Sequence, residues 1–211
     1  MKITFISIAV FWLFLLACAC SPFRLQLNPV EYISWVEDPE NGMTINKQLN
    51  DFSFALQYKP LEYVVLKESC DPGISSSELQ KQSTDIGDMQ YFTFWISEAK
   101  GGDLLQDDVS SVDQFSKRLA YFSSGMQRDV KLIENQDTLS CLLFHFERTY
   151  GVDPRSTFTI GFPLHKKDGK GGMPAAYDKT FLFDDHELGT GPVYIKLSAD
   201  KINSVPSLNL H

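Results

Sequence analysis

The stretch DFSFALQYKP, residues 51–60, alternates Phe52, Phe54, Leu56 and Tyr58 with Ser53, Ala55 and Gln57. A period of two lines the large apolar side chains along one face of an extended chain. Lys59-Pro60 stops the run, because proline has no amide hydrogen to give a sheet. The stretch reads as a half-buried strand, and such a strand needs partners and a layer to cover its apolar face.

Partners recur along the chain. Residues 63–66 read as a second short strand. In 91–97, Phe92, Phe94 and Ile96 share one face, while Tyr91, Thr93 and Trp95 on the other imply that both sides are covered. Residues 130–133 and 138–150 flank the turn-like Glu134-Asn135-Gln136-Asp137, and Phe158, Ile160 and Phe162 alternate with Thr157, Thr159 and Gly161. Phe181 with Phe183, and then Val193, Ile195 and Leu197, give two more strands. Asp38-Pro39-Glu40-Asn41-Gly42 has turn chemistry, proline fixing φ and Asn-Gly tolerating positive φ.

A long helical period stands apart. Val112, Phe115, Leu119, Phe122 and Met126 fall three or four residues apart, with Ser110-x-x-Asp113 as a capping arrangement and Gly125 as a stop. Ser75-x-x-Glu78 caps a second, brief helix. Runs of strands joined by turns, with one clear amphipathic helix near 111–124, predict an α+β fold, mainly antiparallel β. The expected architecture is a sandwich or curled sheet with the helix packed on it.

The chain has 211 residues, 43% of them hydrophobic, which suffices for one domain with a real core. Its net charge of −8 gives no electrostatic footprint for a phosphate backbone, so nucleic acid is not expected as a partner. The same acidity draws no general help from anionic lipid, so any membrane attachment must come from something apolar.

That apolar element is the N-terminus. Met1-Lys2 precedes an uncharged run from Ile3 to Ala17, interrupted only by Thr4 and Ser7. The run is shorter than the ~20 residues of a spanning helix and ends in small residues, as a secretory leader does. Leu15-Leu16-Ala17-Cys18 resembles the lipobox of bacterial lipoproteins. The resemblance covers the first 20 or so residues. It implies diacylglyceryl transfer to the Cys18 thiol, cleavage before Cys18 and commonly acylation of the new amine. Cys20, followed by Ser21-Pro22, is the alternative site. The division that follows is a signal peptide at 1–17, a lipidated N-terminus and tether at 18–29, and a single β-rich domain at 30–211. Neither Ala19 nor Ser21 is Asp, the residue that in Gram-negative lipoproteins favours retention at the inner membrane. The resemblance therefore implies the outer membrane, with the domain facing the periplasm and the cell surface as the other option.

Outside the leader, only Cys70 and Cys141 remain. An exported compartment permits a bridge between them, but two cysteines alone carry no framework pattern.

Three stretches carry candidate chemistry. In FHFERTYG, residues 144–151, His145 and Glu147 share a strand face and offer an acid/base or metal-ligating pair. A polar sheet surface with a cross-strand ion pair explains them more economically. In FDDHELGTGP, residues 183–192, Asp184, Asp185, His186 and Glu187 offer oxygen and imidazole ligands, but not at the spacing of an EF-hand. An acidic loop between two strands is the ordinary explanation. HKKDGKGG, residues 165–172, gathers basic side chains and glycines without the P-loop pattern. The expectation is thus a lipid-anchored envelope protein with a non-catalytic binding or structural domain, its membrane contact through the lipid, and no cofactor. The alternative is an anchored hydrolase or metal-dependent enzyme using His145 and Glu147 or the cluster 184–187.

Overall fold

A computed structural model describes residues 25–71, 73–106, 108–148, 153–164 and 176–210. Cys18, Cys20 and the basic loop 165–172 lie outside the described residues.

The architecture is α+β and mainly antiparallel, built on two facing sheets. One sheet holds β2 (Thr44–Leu49), β3 (Phe52–Lys59), β4 (Met89–Glu98), β8 (Arg155–Pro163) and β7 (Leu143–Glu147), side by side in that order. The other holds β10 (Pro192–Leu197), β9 (Lys179–Asp184), β5 (Val130–Glu134) and β6 (Asp137–Ser140). All these pairings are antiparallel. The alternation in 51–60 is realised: Phe52, Phe54 and Leu56 are buried, in register with Glu98, Ile96 and Phe94 of β4.

Between the sheets lies a core rich in phenylalanine. The ring of Phe94 sits 4.9 Å from that of Phe181 and 5.9 Å from that of Phe183, across the two sheets. Tilted and edge-on pairs such as these contribute about 0.5–1.5 kcal/mol each beyond their buried area. At one edge of the sandwich, Lys47 of β2 donates through Nζ to the carbonyl of Tyr194 on β10 at 2.9 Å. The two sheets approach there without pairing.

The run 138–150, expected as one strand, is two. It breaks at Cys141-Leu142, where the chain leaves β6 in one sheet and enters β7 in the other. The Leu142 amide donates to the Gly161 carbonyl and the Gln127 side chain to the Cys141 carbonyl, which holds the corner. A sheet-switching corner keeps the apolar pattern of a continuous strand, so periodicity cannot reveal it.

Residues 63–66 are a correction of kind. They belong to a helix, Leu61–Ser69, in which Tyr63, Val64, Val65 and Leu66 are all buried. A four-residue apolar run has no readable period. This helix is the second of three that pack together. The first, α1 (Pro29–Glu37), precedes it as α2, and α3 (Ser76–Ile86) follows. Their apolar cluster of Tyr32, Val36, Tyr63, Val65 and Leu66 covers part of the outer face of the larger sheet. Gln57 donates there to the Val36 carbonyl and Tyr91 to the Ile86 carbonyl. The second face of β4 is therefore partly covered, as its sequence implied. Ser75 caps α3 by accepting the Glu78 amide.

The start of α1 lies in the segment expected as tether. Asn28 accepts the Glu31 amide while Glu31 accepts the Asn28 amide, a reciprocal cap with Pro29 in the first turn. Just before it, β1 (Gln26–Leu27) pairs in parallel with β11 (Ser207–Leu208), joining the two ends of the described fold.

The expected helix is present as α4 (Val112–Ser123), with two adjustments. Its cap is Ser111, which accepts the Gln114 amide, while Ser110 hydrogen-bonds to the Gln114 side chain. The buried stripe starts later than its sequence period: Val112 is 83% exposed, Phe115 and Leu119 are half-buried, and Phe122 and Met126 are fully buried. Val112 falls in the first turn, where the neighbouring residues are exposed as well. A short last helix, α5 (Ala199–Asn203), leads into β11.

Both Cys70 and Cys141 are free. Cys70 is exposed, whereas burial pushes the Cys141 thiol up to about 11.

Candidate functional site

The cluster 184–187 sits where β9 turns into β10, and its four side chains have different fates. Asp185 turns inward and is buried. Its Oδ1 accepts the amides of Glu187 and Leu188 at 2.9 and 2.8 Å, and its Oδ2 accepts the amide and hydroxyl of Thr190 at 2.7 and 2.9 Å. One carboxylate thereby folds the loop around itself, with Gly189 and Gly191 at positive φ completing the reversal. Asp184, His186 and Glu187 remain largely at the surface. Among the described residues, no group of three or more His, Cys, Asp or Glu side chains is arranged to hold a metal ion.

His186 nevertheless has acidic neighbours. Its Nε2 lies 3.7 Å from Asp184 and 4.0 Å from Asp129, distances of ion pairing rather than hydrogen bonding. Asp129 in turn accepts a 2.9 Å hydrogen bond from the Tyr121 hydroxyl at the end of α4. Burial, then the Asp129 bond, pushes the Tyr121 hydroxyl well above the usual tyrosine range. Sequence reading missed Tyr121 and Asp129, because they reach the loop through tertiary packing. His186 makes no hydrogen bond to either carboxylate, and its side chain is 61% exposed.

His145 and Glu147 lie on β7, an edge strand of the larger sheet. Both are exposed, while Phe144 and Phe146 are half-buried and pack on the core, so the alternation is as expected. The expected cross-strand ion pair is absent from the register: Thr159 stands opposite His145, and Thr157 opposite Glu147. His145 lies on β7 of the larger sheet and His186 on the loop that follows β9 of the smaller one, and the structure does not gather them into one cleft.

A further polar group went unread in the sequence. Glu134 and Lys179 face each other in the β5–β9 register, both buried, and form an ion pair. Gln90 donates to Glu134 Oε2 at 2.7 Å and to the Pro163 carbonyl at 3.2 Å, leaving its own Oε1 without a hydrogen bond. Burial lowers the Lys179 pKa, and Glu134 opposes that shift. Glu134 also acts on Tyr58, whose hydroxyl is pushed up to about 12, first by burial and then by Glu62 and Glu134. Only the pleat parity of Glu134 and Lys179, each in step with inward apolar neighbours, marked them for burial.

No family model matches the chain, and no curated protein matches it. A crystal structure of a DUF4426 family protein from Pseudomonas aeruginosa PAO1 is similar over 74% of this chain and 91% of that one, at 6% identity. Its TM-score of 0.31 is too low to support an argument about fold or function.

Proposed function

We propose that the chain is a lipid-anchored protein of the bacterial envelope, whose folded domain binds or supports a partner without catalysing a reaction. The observation that carries this reading is Leu15-Leu16-Ala17-Cys18 at the end of an uncharged leader-length run. The attached lipid holds the protein at the outer membrane, domain toward the periplasm. Two or three acyl chains, at ~0.8 kcal/mol per buried methylene, suffice for stable anchoring. The described residues contain no helix long and apolar enough to cross a membrane.

The non-catalytic half of the reading is supported by how the polar side chains are employed. Asp185 is occupied by loop amides, Glu134 and Lys179 by each other, and His145 and Glu147 stand on an open edge. None of these arrangements aligns a nucleophile with a base.

The test is incorporation of labelled palmitate by the full chain in a bacterial host. Wild type takes the label and loses its leader, and Cys18→Ala abolishes both. Retention of label by Cys18→Ala with loss in Cys20→Ala moves the anchor to Cys20. No label in wild type overturns the anchor.

A further inference from the structure

The seam where β2 and β10 approach without pairing opens at one end into a groove of 420 Å³. Its walls bring together Lys179, Lys196, Lys201, Ile45 and Leu197, with Asp178 as the one carboxylate. With Lys179 neutralised by Glu134, two lysines face one aspartate, a local excess of positive charge in a chain of net charge −8. The aspartate is engaged, its Oδ1 accepting the Ala199 amide at 2.7 Å, and Lys179 is paired with Glu134. Lys196 and Lys201 are exposed, and neither forms an ion pair with a described residue. The Lys201 stem lies across Gly42, where a Cβ would come 2.9 Å from Cε. Gly42 itself has a left-handed φ of 78°. The groove therefore has two free ammonium groups beside one partly exposed aliphatic side chain, Ile45, above the buried Leu197.

Its position matters as much as its charge. Lys201 lies in α5, which runs directly into β11, and β11 pairs with β1 at the point where the chain emerges from the leader side. Cys18 and Leu25 are seven positions apart, a contour of at most ~25 Å at ~3.6 Å per step. A domain tethered that closely at β1 is held within its own diameter of the lipid, with the β1–β11 side toward it. The acidity of the whole does not cancel the groove, because charges farther than ~8 Å are largely screened at physiological salt.

We propose that this groove receives the phosphodiester of an anionic phospholipid in the bilayer that holds the chain. Lys196 and Lys201 meet its oxygens, and the partly exposed Ile45 meets the glyceryl carbons. The inference rests on the anchor reading for its geometry. The lipid attachment supplies the affinity, and the groove orients the domain on the surface.

The test is calorimetric titration of the purified full chain in non-ionic detergent with three probes: dihexanoyl phosphatidylglycerol, dihexanoyl phosphatidylcholine and glycerol 3-phosphate. Saturable binding of phosphatidylglycerol, at least tenfold tighter than of either other probe, is expected. A basic residue near an anionic lipid contributes about fivefold, so Lys196→Gln with Lys201→Gln should weaken binding about 25-fold. Both positions are exposed, so the double variant should melt with the wild type. Equal affinity for glycerol 3-phosphate would identify a free phosphate ester as the ligand and overturn the bilayer as its source. Equal affinity for phosphatidylcholine, no binding, or binding unchanged in the double variant would overturn the groove. Palmitate labelling of the same preparation keeps the readings apart: labelled protein without headgroup binding defeats the groove alone, and unlabelled protein with lysine-dependent binding defeats the anchor alone.

Discussion

Replacing Asp185 by alanine should unravel the β9–β10 loop and cost the protein about 3 kcal/mol. The carboxylate accepts three backbone amides and one hydroxyl from a buried position. A net loss of about 1 kcal/mol per orphaned amide is the ordinary figure, and water reaching the opened loop limits anything larger. Asp185→Asn keeps one acceptor oxygen, so it should lose about half as much. His186→Ala removes an exposed ring one residue away and should stay within ~0.5 kcal/mol. Urea unfolding of the three variants against wild type measures the order, with an unchanged slope confirming that native stability has moved. Titration with calcium, magnesium and zinc should show no stoichiometric binding by wild type. The reasoning is refuted if Asp185→Ala is neutral. It is refuted equally if a micromolar metal site appears and is lost with Asp184→Asn or His186→Ala, because the loop would then exist to hold an ion.

Phe122→Ala empties a fully buried site and should cost about 3–5 kcal/mol, whereas Val112→Ala on the same helix, at an 83% exposed position, should cost less than ~0.5. Equal costs would mean that the packed face of α4 is misassigned. Lys179→Met should destabilise by about 3–5 kcal/mol by leaving Glu134 buried and unpaired, and the Glu134→Leu, Lys179→Met double variant should cost less than the sum of the singles. Additive costs in that cycle would show that the two side chains do not interact. Burial raises the Cys141 thiol from 9.0 to about 11, so the folded protein keeps a proton that the unfolded chain releases. Stability therefore falls as pH rises from 9 to 11, and the difference between wild type and Cys141→Ala should shrink across that window, by roughly 1–3 kcal/mol. A flat difference would refute the buried thiol.

What was legible in the sequence was whatever repeats along it. The alternations at Phe52–Tyr58, Phe92–Ile96, Phe158–Phe162 and Val193–Leu197 all became strands with the expected inward faces. The spacing through Phe115, Leu119 and Phe122 became the packed face of α4. Features that depend on where the chain goes next were not legible. Tyr63–Leu66 is buried on all sides, so its apolar run has no period to distinguish helix from strand. The corner at Cys141-Leu142 changes the sheet but not the hydrophobic pattern. The reciprocal cap of Asn28 and Glu31 is readable by its spacing, and it starts α1 inside the segment expected as tether. Among the candidate side chains, parity correctly separated His145 and Glu147 from the core. The inward turn of Asp185 follows from the loop amides it meets, which residue type alone does not disclose. The Tyr121–Asp129 contact and the seam groove join segments far apart in the chain, and no local pattern encodes them.

The claim on which the account depends is the lipid at the N-terminus. Mass spectrometry of the mature protein's N-terminal peptide tests it directly. The account predicts a peptide that begins at Cys18 and carries a diacylglyceryl thioether, with or without an amide-linked acyl chain. A modified peptide beginning at Cys20 would move the site and keep the anchor. A mature protein that still begins at Met1, or one whose Cys18 and Cys20 are both unmodified, would contradict it.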